Sequence, residues 1–173
     1  GFRWALKGKA MTWTSDKAGY RSHGSWGAEK DVYIMFFDGK DYTEFLKDKE
    51  DRAIADLYKE KKEGKKEATD SVKAEKKGEK KAEKIILDLE DREDRIAKLT
   101  RFSGRLGDHY MTKDGKKLYY IVRLEKSMDL CCLDLEDNSI KVVTKGVMGS
   151  IYPSKDDKYM FMLNRGGVSK IAT

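Results

Sequence analysis

The chain has 173 residues with 37 basic and 31 acidic side chains, a net charge of +6, and it is 39% hydrophobic with 15 Gly and one Pro. That is ample for one self-supporting core of ordinary domain size without staples. Collagen-like and Pro-rich classes are excluded, and no apolar run approaches the roughly 20 residues of a membrane-spanning helix.

The charge excess suggests nucleic acid only until it is located. Residues 47–84 hold 25 charged side chains, 14 basic and 11 acidic, so the bases are interleaved with acids. Each carboxylate cancels local potential, which argues against a phosphate-binding face and hence against a nucleic-acid or membrane partner. The chain opens Gly1-Phe2-Arg3-Trp4 with no initiator Met and no signal peptide, which predicts an internal fragment or a processed chain.

Residues 1–44 read as strands. Ala10-Met11-Thr12-Trp13-Thr14 is a short run closed by Ser15-Asp16-Lys17-Ala18-Gly19. Tyr20, Arg21, His23 and Trp26 follow as candidate peptide contacts in a Gly-rich loop. His23-Gly24-Ser25-Trp26-Gly27 invites comparison with a nucleophile elbow, but His23 replaces the first Gly and a strand follows where the elbow needs a helix. Asp31-Val32-Tyr33-Ile34-Met35-Phe36-Phe37 is rich in β-branched and aromatic residues and ends at the turn signal Asp38-Gly39.

Asp41, three residues before Glu44, predicts a capped helix start there. Leu46, Ala53, Ile54, Leu57 and Tyr58 recur at helical spacing as one stripe. After Tyr58 the stripe stops in a Lys/Glu run, which predicts a solvated helix or mobile loop across residues 60–84. The expected divisions are 1–44, inner strands of a first unit; 45–84, the insertion; 85–100, its outer strand; 101–145, a second unit; and 146–173, a partial third.

An internal repeat supports those divisions. Leu87-Asp88-Leu89-Glu90-Asp91 recurs as Leu133-Asp134-Leu135-Glu136-Asp137, and each copy precedes a strand-like run ending in Thr. Tyr110–Ile121 matches Tyr152–Leu163 at an offset of 42 residues. Turns at Asp114-Gly115 and Asp156-Asp157 join a short strand to a longer one, and Lys7-Gly8-Lys9 plays that part in the first unit. A period of 40–45 residues with four strands per unit predicts an all-β chain of β-propeller blades, about two and a half of them, left open.

Candidate chemistry is sparse. Cys131 and Cys132 are adjacent and, in a strand, point to opposite faces, so they read as small hydrophobes. His23 and His109 lack ligand partners at usable spacing, so neither a metal nor another cofactor is predicted. The paired acids Asp88/Glu90 and Asp134/Glu136 repeat at equivalent positions, which favours structural turns over acid–base work. Gly104–Gly107 and Gly166-Gly167 lack phosphate-loop spacing and read as turns. Trp4, Trp13, Trp26 and the tyrosines are expected mostly between blades.

The ordered combination of Ser15-Asp16, Ser25-Trp26-Gly27, Asp31-Val32-Tyr33, the Lys/Glu insertion, Leu87–Ile96, Asp114–Tyr120 and Gly146–Ser154 resembles the propeller region of tricorn-like, tail-specific serine peptidases. The resemblance implies a non-catalytic scaffold that steers peptide or protein substrates and supports assembly, because no segment matches that family's catalytic motifs. It also implies a periplasmic or extracellular setting, although no residue pattern excludes the cytoplasm. A free-standing propeller-like module that binds proteins or peptides is the other reading. An open set of blades exposes apolar faces and strand edges, so copies of the chain are expected to associate.

Overall fold

The computed structural model describes residues 1–23, 27–63, 87–164 and 166–173. Among them, eleven strands form three antiparallel sheets, each with its strands side by side in chain order. The first sheet contains β1 (Phe2–Ala5), β2 (Ala10–Ser15), β3 (Asp31–Phe36) and β4 (Ile96–Lys98). The second contains β5 (Leu106–Met111), β6 (Lys117–Leu124), β7 (Ser127–Asp134) and β8 (Ile140–Thr144). The third contains β9 (Val147–Pro153), β10 (Tyr159–Asn164) and β11 (Gly167–Ala172). The architecture is an open set of propeller-like blades, as the repeat period predicts.

Strand alternation explains the stacking. Residues two apart share a face of a sheet, so β5, β6 and β7 of the middle blade each serve two interfaces. Leu118, Tyr120, Val122, Cys131 and Leu133 face the first blade and pack with Ala10, Val32, Ile34 and Phe36. Tyr110, Tyr119, Ile121 and Leu130 face the third blade and pack with Val147, Ile151, Met160 and Met162. The adjacent cysteines split between these two cores, Cys131 into the first and Cys132 at the margin of the second. Both are free thiols.

The insertion leaves and re-enters the first blade at one point. The Asp88 N–H donates to the Phe37 carbonyl at 3.0 Å, closing the graft. Buried Arg95 clamps the same place, donating from Nε to the Phe36 carbonyl and from its terminal nitrogen to the Asp88 carbonyl. The repeated pentapeptide then performs one task in both blades. An Asp88 oxygen accepts the Glu90 N–H, and an Asp134 oxygen accepts the Glu136 N–H, so each copy builds an Asx turn ahead of the outer strand.

The structure corrects five expectations. The helix does not start at Asp41: α1 spans Gly39–Leu46, and Asp38 caps it by accepting the Lys40 N–H. The Asp38-Gly39 pair therefore starts a helix rather than a simple turn. The single stripe breaks at Lys47, whose backbone is extended, and α2 (Lys49–Glu63) starts afresh on Asp48, which caps the Asp51 N–H. Leu46, Ile54, Leu57 and Tyr58 are exposed, because the helices rest on the blades through Tyr42, Phe45 and Arg52 instead. Trp4 is 69% exposed on the outer face of the first blade, tilted against Phe37, and not between blades. Gly107, expected in a turn, lies within β5, where pairing shifts register between Leu106 and His109. Residues 64–86, including Ile85-Ile86, lie outside the described residues.

Candidate functional site

The connection from β2 to β3 carries the predicted peptide contacts. It folds back on itself: the Glu29 N–H donates to the Tyr20 carbonyl at 2.9 Å, and Arg21 pairs with Ala28 in a bridge. Gly19 is required for this approach, since a Cβ there would come 2.0 Å from the Glu29 carbonyl oxygen. Tyr20, Arg21 and His23 are all exposed, so the loop gathers a phenol, a guanidinium and an imidazole at one end of the first blade. Trp26, the fourth predicted contact, lies outside the described residues. Arg21 bonds Asp16 at 2.8 Å, and this contact holds the Asp16 carboxyl below its ordinary range.

The loop is anchored by a buried carboxylate that sequence reasoning missed. Asp31 accepts the hydroxyls of Thr100 and Ser103, each at 2.7 Å, with Lys98 at 3.5 Å. Lys30 and Gly104 exchange backbone hydrogen bonds at 2.7 and 3.1 Å, tying the loop to the link that enters the second blade. The signal available was Asp31 at the head of an apolar strand, where a buried acid must find donors.

The opposite ends of the first two blades enclose a cleft of about 540 Å³ between the inserted helices and the hairpin turns. Charges of both signs line it, and its acids are engaged. Asp41 pairs with Lys9 at 3.1 Å, and Glu136 pairs with Lys116 at 3.0 Å and Arg52 at 3.7 Å. Asp114 accepts the Thr112 hydroxyl at 2.6 Å and the Lys116 N–H at 3.0 Å. Asp41 and Glu136 thus clip the insertion to the blades and Asp114 holds its own hairpin turn, rather than forming a free acid and base pair.

A third constellation joins the innermost strands. Arg3 on β1 bonds Asp108 on β5 and also donates to the Ile151 carbonyl on β9, while Asp108 accepts the Ile151 N–H at 2.9 Å. One carboxylate thus ties three blades together. Burial pushes the Asp108 carboxyl up, but the Arg3 guanidinium and the two backbone N–H groups outweigh it and hold it low. Its neighbour His109 is buried and bonds the Thr12 hydroxyl at 3.0 Å. Desolvation lowers the His109 pKa to about 4, so the ring is neutral at physiological pH. No group of three or more His, Cys, Asp or Glu suited to a metal occurs among the described residues. Nor is any described helix long and apolar enough to cross a membrane.

Two solved structures are similar to this chain in fold. The crystal structure of TolB from Acinetobacter baumannii matches 99% of this chain at 12% identity, with a TM-score of 0.53. The crystal structure of the tricorn protease matches 99% at 10% identity, also with a TM-score of 0.53. This chain has a β-propeller-like fold. It spans 30% of the TolB chain and 16% of the tricorn chain. No family model matches the sequence, and no curated protein matches it.

Proposed function

We propose that this chain is a non-catalytic propeller segment that serves a tricorn-like serine peptidase as a scaffold for substrate access and assembly. The observation that carries this reading is the pair of unlike, apolar end faces on the stack. The first blade bares Phe2 and Trp4, and the third bares Met148, Tyr152, Leu163 and Val168. Surfaces of this kind suit protein contact. The loop bearing Tyr20, Arg21 and His23 supports the second reading, a propeller-like module that binds peptides by itself. Aromatic and guanidinium groups grip backbone and side chains without needing a sequence match.

Both readings make peptide binding without hydrolysis the expected result. Fluorescein-labelled peptides titrated against the purified chain should show saturable anisotropy changes and remain intact by mass spectrometry. Tyr20→Ala and Arg21→Ala should each weaken binding by about threefold or more. Cleavage of the peptides would overturn the non-catalytic assignment, and absence of binding would remove substrate steering.

A further inference from the structure

Between the second and third blades, one acidic side chain closes the interface. Asp157 sits in the β9–β10 turn at a positive φ of 61°, a conformation Asp tolerates. Its carboxylate accepts the Tyr110 hydroxyl and the Lys113 backbone N–H, the latter at 2.8 Å. Lys113 adds a third tie, donating from Nζ to the Lys155 carbonyl at 2.6 Å.

The 42-residue repeat carries both donors forward. Tyr152 stands where Tyr110 stands: Tyr110 pairs with Tyr119 across its hairpin, and Tyr152 pairs with Phe161. Lys155 stands where Lys113 stands. Among the described residues, neither the Tyr152 hydroxyl nor the Lys155 N–H has a hydrogen-bond partner. The apolar seat is copied too: Tyr110 and Ile121 are 8% and 2% exposed, while Tyr152 and Leu163 are 60% and 51% exposed.

We propose that the bare face of the third blade is a docking surface for another β-blade whose first hairpin turn carries a carboxylate, received by the Tyr152 hydroxyl and the Lys155 N–H. This deepens the scaffold reading and rests on it. The chain's own first blade is a poor occupant. Its turn offers Gly8 at the matching positive-φ position, beside Lys7, so a second copy would bring a cation rather than a carboxylate toward Lys155. The preceding interface shows the same contrast, for there Gly115 meets only Leu6, whose Cδ2 lies 2.6 Å from where a Cβ would stand.

The test appends a flexible linker and a second copy of residues 146–173 to the full chain, which places an Asp157-bearing turn at millimolar effective concentration. Amide hydrogen exchange is then read at Lys155 by NMR. Exchange should slow by about tenfold or more, as for an amide newly bonded to a carboxylate. Asp157→Asn in the appended copy, or Tyr152→Phe in the parent blade, should remove most of that gain. Unchanged exchange in the extended chain would overturn the proposal, as would equal slowing by the Asn copy. Protection of Lys155 that grows with concentration of the unextended chain would also overturn it, since a second copy would then be the occupant. A failure of peptide binding leaves this measurement untouched, so the two readings fail separately.

Discussion

Tyr110, Tyr119 and Ile121 in the second blade occupy the same strands and the same face as Tyr152, Phe161 and Leu163 in the third. The first three lie in the core against Val147, Ile151, Met160 and Met162, whereas Tyr152 and Leu163 meet solvent. Nothing in the local sequence separates the two sets. The difference is the neighbour: a blade face becomes core only when another blade lies on it. An apolar residue in a repeat chain therefore carries two readings, core or docking face, and position in the stack decides between them.

The largest expected effect breaks this symmetry directly. Ile121→Ala should cost about 2–5 kcal/mol by denaturant unfolding, because it opens a cavity between two blades. Leu163→Ala, its repeat partner, should change stability by less than about 0.5 kcal/mol. Equal losses would mean that the third blade's outer face is already covered in solution.

The polar latch offers a finer comparison. Tyr110→Phe removes the hydroxyl donated to Asp157 and should cost about 1.5–3 kcal/mol, the range for hydrogen bonds to charged groups. Tyr152→Phe in the unextended chain should be silent within about 0.5 kcal/mol. A matching loss at Tyr152 would show that its hydroxyl has found a partner in solution.

Acid should loosen the junction between the first and second blades. With a folded-state pKa of about 4, His109 binds fewer protons than the unfolded chain between that value and about 6.5. Its contribution is therefore fully present above about pH 6.5 and is lost as pH falls toward 4. Thermal unfolding across that window should show stability declining with acidity, and His109→Gln should flatten this slope. A slope unchanged by the substitution would assign the acid sensitivity to the carboxylates. The smallest effect is expected on the insertion: Ile54→Ala or Leu57→Ala, on the exposed side of α2, should stay within about 0.5 kcal/mol plus any gain in helix propensity.

Much of the fold was legible because blades are short-range objects. Strand alternation, the paired Asx turns at Asp88 and Asp134, and the 42-residue spacing all depend on residues close in sequence. The candidate site was legible only in outline. Tyr20 and Arg21 stood out as a polar–aromatic loop, but Asp31, Asp108 and Asp157 did not. An isolated Asp in a charged chain is unremarkable until distant donors converge on it: Thr100 and Ser103 on Asp31, Arg3 and Ile151 on Asp108, Tyr110 and Lys113 on Asp157. The helical stripe is a related case, for it is broken at Lys47 and its residues are exposed. Spacing shows which residues share a side of a helix but not whether that side faces the core.

The sequence by itself determined the repeat unit, its strands and turns, and which residues share a face, because these follow from backbone geometry and the period-two alternation of side chains. Only the tertiary structure decided which faces are buried, which carboxylates tie blades together and where the inserted helices rest. Those outcomes depend on contacts between residues far apart in the chain, as between Arg3 and Ile151, and the free energy of such contacts is set by the neighbour that removes water from them.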